Sequence, residues 1–240
     1  MTPHDLDLIE RFIGAFNAID LHLEGVLHVE SNSSFRSLVD LYAKRNRWWK
    51  HADQLRIFAG LRNVIVHDKI EPYKYVCVPS EDSVVDIEKI RDSLINPERA
   101  VAKFRRDVVT ITPHDSLAKV LKLIEERQYS RFPVCEQAHG RCTKFVGLLT
   151  ENGITRWLAH HVTNGLSLVE LNEVLVAAVL PRQEKRPNYQ FAAQDTPVEQ
   201  IAYLFHENVY LEAVLITEHG GEREKLLGIT TRGDVLRVGY

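Results

Sequence analysis

Residues 226–234 read LLGITTRGD, and residues 147–150 carry an earlier echo of the same stretch, GLLT. Gly147-Leu148-Leu149-Thr150 aligns with Gly228-Ile229-Thr230-Thr231, and Ile154 with Val235. Upstream, Asp115-Ser116 recurs as Asp195-Thr196, Leu121 and Ile124 as Ile201 and Leu204, and Val134 as Val214. An internal repeat has to be settled before any fold assignment. Each copy reads strand, helix, strand, strand, helix, with the Asp-Ser and Asp-Thr pairs expected to open the first helix. Half-sized units of this kind pair their sheets to close one core. From about residue 105 the chain is therefore predicted to be a pseudo-symmetric α/β module, with repeat 1 over 105–163, a connector over 164–185 and repeat 2 over 186–240.

Before residue 80 the grammar is helical. Thr2-Pro3 with Asp5 supplies a cap, a first-turn proline and an early acid, and Leu6, Ile9, Phe12, Ile13, Phe16, Ile19, Leu23 and Val26 recur at helical spacing. Ser31-Asn32-Ser33-Ser34 reads as a turn and cap before a second helix bearing Phe35, Leu38, Leu41 and Tyr42. A third helix carries Leu55, Phe58, Leu61, Val64 and Ile65 as its packed stripe. YKYVCV at 73–78 reads as a strand or extended connector, and Ser80 caps a helix that Asn96-Pro97 stops. The fold class is thus α plus α/β: an all-helical bundle over 1–79, a linking helix over 80–104, and the two βαββα repeats.

A chain of 240 residues with 45% hydrophobic content can fill two cores, and a formal charge of −3 leaves room for only a local nucleic-acid patch. Cys77, Cys135 and Cys142 form no C-x-x-C pair and are expected as ordinary thiols, which fits a reducing compartment. The segment MTPHDLDLIE lacks the basic and apolar regions of a secretory leader, and no apolar run is long enough to span a bilayer. A cytoplasmic protein is expected.

On these residues the C-terminal half resembles the CBS (cystathionine β-synthase) domain family. YSRFPV at 129–134 is similar to the family's second strand with its proline-valine ending, and LLGITTRGD to its Gly-hydrophobic-x-Thr-x-x-Asp signature. The resemblance implies a tandem pair whose clefts bind adenosine-type nucleotides such as AMP or ATP, S-adenosylmethionine, or a cyclic dinucleotide. It assigns Thr231 to phosphate and Asp234 to ribose hydroxyls, with Arg232, Thr150 and Arg131 as further ligand candidates. Each repeat departs from the pattern once: in the first, Gly153 stands where Asp234 stands in the second, and in the second, Glu212-Ala213-Val214 replaces the proline-valine ending.

The stretch LRNVIVHDK at 61–69 resembles the Arg-x(4–6)-His motif of HEPN domains, helical bundles many of which are metal-independent ribonucleases acting as dimers. Asn63 and His67 lie four apart and share a helix face, and Arg62 reaches round to them. The resemblance assigns His67 to proton transfer, Arg62 to the transition-state charge and Asn63 to orientation, with no cofactor or metal in catalysis. Lys44, Arg45, Arg47 and Lys50 around Trp48 and Trp49 suit single-stranded RNA, or else form a solvated face with tryptophan anchors. His160-His161 suits a helix C-terminus, and His4, His114, His139 and His219 are expected in caps or turns. Two readings stay open: a homodimeric nucleotide sensor gating a ribonuclease, or one whose bundle is a non-catalytic dimerisation or docking module.

Overall fold

Thr2 opens the first helix through a reciprocal cap, its Oγ1 accepting from Asp5 N at 3.1 Å while Asp5 Oδ2 accepts from Thr2 N at 2.6 Å. The computed structural model describes residues 1–29, 33–67, 75–138, 141–163, 171–182 and 187–239, which divide into two compact units, Met1–Glu98 and Arg99–Tyr240. In the first unit α1 (Pro3–Leu27) buries Ile9, Phe12, Phe16, Ile19 and Leu23, while Leu6 and Val26 face solvent and Leu27 takes the last core position. Helix α2 (Phe35–Arg45), capped by Ser34, contributes Leu38, Val39 and Tyr42.

Helix α3 (Ala52–His67) buries Leu55, Phe58 and Ile65, but Val64 is exposed. Val64 lies nine residues beyond Leu55, about two and a half turns, which places it on the opposite face. Helix α4 (Glu81–Ile95), capped by Ser80, sets Val84, Ile87, Ile90 and Leu94 into the same core as α1. Arg11 of α1 grips Glu88 of α4 through two hydrogen bonds of 3.0 and 2.7 Å, and Gln54 of α3 donates to Asp86 at 3.0 Å. The stretch read as one linking helix over 80–104 thus divides: α4 packs in the first unit, and α5 (Ala100–Phe104) buries Ala100 and Phe104 in the second. Of the extended piece expected over 73–78, residues 73 and 74 lie outside the described residues and 75–78 are not a strand.

The second unit continues with α6 (Leu117–Arg127), β1 (Arg131–Ala138), β2 (Arg141–Thr150), α7 (Glu151–Thr163) and α8 (Val176–Val179), the last running into a 3-10 turn, Leu180–Arg182. It closes with β3 (Tyr189–Ala193), α9 (Val198–Glu207), β4 (Ala213–Thr217), β5 (Gly228–Thr230) and α10 (Arg232–Arg237). Strand β3 pairs parallel with β4, which pairs antiparallel with β5. In the first repeat β1 and β2 are antiparallel, and the opening strand shrinks to Ile111, bridged in parallel to Val134. Ser116 caps α6 as expected, but α9 begins after Pro197, because the residue before a proline resists helical backbone and moves the start past Thr196.

Each repeat is completed by the segment that precedes the other. Ala100 N donates to Thr196 O at 2.8 Å and Val101 N to Gln194 O at 3.0 Å, while Arg105 bridges Gly228. The counterpart is Leu117 N to Val174 O at 2.7 Å and Val176 N to Asp115 O at 2.9 Å, with Val176 and Val179 in the first repeat's core. Boundaries drawn by repeat alone hide this exchange.

The cysteines correct an expectation. Cys135 and Cys142 are joined in a disulfide with Cα atoms 5.3 Å apart, and Cys77 is free. The antiparallel pairing of β1 and β2, with register shifts after Val134 and Glu136, brings together two residues whose spacing resembles no common motif. The cysteine argument for a reducing compartment falls with it. Among the described residues no helix is long and apolar enough to cross a membrane.

The crossing gives a stability prediction. A Cβ on Gly228 would collide with the Phe104 carbonyl oxygen, whereas one on Gly14 of α1 meets nothing within 4 Å. Gly228→Ala should lower the melting temperature, and Gly14→Ala should add about 0.5–1 kcal/mol in urea unfolding.

Candidate functional site

Thr231 and Asp234 lie where β5 gives way to α10. Thr231 N and Oγ1 both donate to Asp234 Oδ2 at 2.9 Å, and Asp234 N returns a 3.4 Å bond to Thr231 Oγ1. Arg106, arriving on the crossing segment, donates through Nη2 to the same Oδ2 at 3.0 Å. Oδ1 accepts no hydrogen bond among the described residues, and Arg237 Nη1 stands 4.0 Å from it. The aspartate therefore holds the cap with one oxygen, and its other oxygen accepts no hydrogen bond from the described residues. Burial by itself pushes this carboxyl up, but the Thr231 hydrogen bonds and the Arg106 charge outweigh it and hold it below its ordinary value.

These residues line a cavity of about 680 Å³, wide enough for a nucleotide. Val109, Tyr129, Leu211 and Ile229 give it apolar wall, and Arg106, Arg127, Arg131, Arg232 and Arg237 give it positive charge. Arg131 reaches Glu212 Oε2 through Nη2 at 2.7 Å and Nε at 3.1 Å, so the start of β1 in one repeat is tied to the residue before β4 in the other. Arg232 donates to Asn208 O at 3.3 Å with its guanidinium 5.7 Å from the Phe205 ring centroid. The arrangement offers cations for an anion, a carboxylate oxygen for hydroxyls and an apolar wall for a base.

Of the sequence-predicted ligand residues, Thr231, Arg232, Asp234 and Arg131 meet at this cavity. Thr150 does not line it: it is buried at the start of α7, where its Oγ1 accepts from Gly153 N at 3.0 Å. The sequence reading missed Arg106, Arg127 and Arg237. Their charge was visible, but not their convergence, since Arg106 and Asp234 are 128 residues apart.

In the first unit, Arg62 is half-buried with its guanidinium 5.8 Å from the Phe16 ring centroid, and it lowers the carboxyl of Asp20, which burial and Glu24 raise on balance. Asn63 is exposed, and His67 closes α3 with its side chain outside the described residues. Trp49 is buried edge-on against Tyr42, while Lys44, Arg45, Arg47 and Lys50 are exposed. His161 Nδ1 lies 2.8 Å from Trp157 O in the last turns of α7, and His139 lies outside the described residues. Among the described residues no group of three or more His, Cys, Asp or Glu side chains converges as a metal site.

Asp115 repeats the theme of Asp234. Burial raises its carboxyl, yet Lys119 at 2.7 Å and the Thr112 N–H at 2.7 Å hold it low on balance. Carboxyls held low when folded stabilise fully above the unfolded value of about 3.9, and that contribution is lost as pH falls through the lower folded values. Acid melts between about pH 5 and pH 2 should show this loss, with a shallower decline in Asp234→Asn.

Residues 101–160 and 185–240 each match the family model described as CBS domain. No curated protein matches the sequence. Among solved structures, the CBS domain pair of protein MJ0100 in complex with 5′-methylthioadenosine and S-adenosyl-L-methionine aligns at 18% identity and TM-score 0.44, over 59% of this chain and 95% of that one. CBSX2 in complex with AMP aligns at 19% identity and TM-score 0.43, over 58% and 94%. A conserved CBS domain protein of unknown function from Thermoplasma acidophilum aligns at 20% and 0.43, over 59% and 68%. Likenesses this distant say nothing of the present chain's ligand. With its two matched segments, its repeated strand order and its signature threonine and aspartate, the C-terminal unit is a CBS domain pair.

Proposed function

We propose that the protein is a nucleotide-sensing regulator in which the Thr231–Asp234 cavity takes an adenosine-type nucleotide and its occupancy controls the N-terminal helical unit. The observation that carries this is the division of labour at Asp234, where Oδ2 is committed to Thr231 and Arg106 while Oδ1 stays available in an arginine-lined cavity. A ribose hydroxyl donates to Oδ1, the arginines take phosphate, and the base lies on the apolar wall. At the matching position of the first repeat, Gly153 offers no such carboxylate. The ligand candidates are AMP or ATP, S-adenosylmethionine and a cyclic dinucleotide. Because Arg106 lies in the segment that follows the helical unit in the chain, a ligand engaging Asp234 also alters the environment of that segment.

For the helical unit the HEPN resemblance supports a homodimer and, through Arg62, Asn63 and His67, cleavage of single-stranded RNA without metal. The exposed Lys44, Arg45, Arg47 and Lys50 suit an RNA backbone. The placement of Arg62 over Phe16 favours the second reading, in which this arginine braces the bundle and the unit is a non-catalytic dimerisation or docking module.

Calorimetry and thermal melts with AMP, ATP, S-adenosylmethionine and a cyclic dinucleotide test the first part. A ligand at a hundred times its dissociation constant should add about 2.7 kcal/mol of stability, and Asp234→Asn should weaken its binding about tenfold or more. Absence of binding by all of them overturns the reading. Labelled single-stranded RNA with EDTA separates the two roles of the helical unit. A nuclease should cleave as wild type and fail as His67→Ala; a docking module should leave RNA intact, and Arg62→Ala should lower its melting temperature.

A further inference from the structure

The charge lining the cavity exceeds what an unphosphorylated adenosine compound can satisfy. Five arginines face three carboxylates, Asp107, Glu212 and Asp234, which leaves an excess of two positive charges. Arg106 is neutralised locally by Asp234 at 3.0 Å and Arg131 by Glu212 at 2.7 Å. Among the described residues Arg127 has no ion pair, Arg232 bonds only a backbone carbonyl and Arg237 stands 4.0 Å from Asp234, outside hydrogen-bond distance. These like charges repel one another when the cavity is empty.

Their positions add a length requirement. Arg232 and Arg237 begin and end α10, five residues or about 7.5 Å apart along its axis. Arg127 comes from the other repeat, at the end of α6. A single phosphate has three terminal oxygens at one point, whereas a phosphate chain presents anionic oxygens along its length. We infer that this cavity selects adenosine-type ligands by charge and reach, taking those with a chain of two or more phosphates, and that Arg127, Arg232 and Arg237 set this selectivity. A neutral nucleoside leaves the repulsion in place, and a sulfonium compound such as S-adenosylmethionine adds a positive charge to it. The inference rests on the adenosine-nucleotide reading above, and it places the discriminating residues outside the Thr231–Asp234 pair.

The test is calorimetry on the full chain in EDTA with adenosine, AMP, ADP, ATP, S-adenosylmethionine and inorganic tripolyphosphate. Affinity should rise from adenosine through AMP to ADP and ATP by about 100-fold or more overall, with S-adenosylmethionine no tighter than adenosine. Arg127→Gln and Arg237→Gln replace exposed side chains, so they should keep the wild-type melting temperature. Each should weaken ATP about tenfold while leaving adenosine within about twofold. Equal affinity for adenosine, AMP and ATP, or tightest binding of S-adenosylmethionine, overturns the selectivity and leaves the nucleotide reading standing. Tripolyphosphate binding as tightly as ATP overturns base recognition and leaves the charge selection standing. No binding by any of the six overturns both, and unchanged ATP affinity in both variants removes these arginines from the site.

Discussion

Everything in the C-terminal unit depends on a reciprocal exchange of backbone hydrogen bonds. A three-stranded sheet with two helices cannot cover its own open end, and the first N–H and C=O groups at its helix entrances need partners. Residues 99–101 supply them to the turn before α9, and residues 174–177 supply them to the turn before α6. Side chains follow the backbone: Ala100 and Phe104 fill the second repeat, Val176 and Val179 the first. At Gly228 only hydrogen fits beneath the passing Phe104 carbonyl, which gives the glycine of the signature a packing reason.

The candidate site inherits its asymmetry from that exchange. Arg106 reaches Asp234 only because the segment carrying it has crossed to the second repeat. The aspartate then serves two masters, a helix cap and a guanidinium, on a single oxygen. In the first repeat Thr150 keeps the capping half of the arrangement and Gly153 removes the charged half. A structural motif thus survives where the carboxylate is missing.

Much of this architecture was legible as pattern. The repeated strand and helix order, the stripe along α1 and the Ser34, Ser80 and Ser116 caps follow from local periodicity and capping chemistry, whereas Thr231 and Asp234 stand out by family signature and their mutual cap does not. What escaped depends on neighbours remote in sequence. The stripe Val84, Ile87, Ile90, Leu94 was visible, yet nothing in it says which surface it covers, so a packed helix read as a linker. Cys135 and Cys142 meet through hairpin register, and Arg127 and Arg237 converge only once two repeats have closed on each other. Thr196 looked like a cap, and the proline after it moved the helix start.

The crossing also sets an order of events during synthesis. Residues 99–106 leave the ribosome long before their partners: Arg99 waits 96 residues for Asp195, and Arg106 waits 128 for Asp234. At elongation rates of about 5–20 residues per second, that second wait lasts roughly 6–25 s. For most of it, until Ala192 and the residues of α9 and β4 emerge, Ala100 and Phe104 have no core to enter, while the first repeat's core is complete once residue 179 has emerged. The nascent chain therefore carries an unclaimed apolar segment between two elements able to fold ahead of it, the interval in which a chaperone or a second nascent copy has its best access.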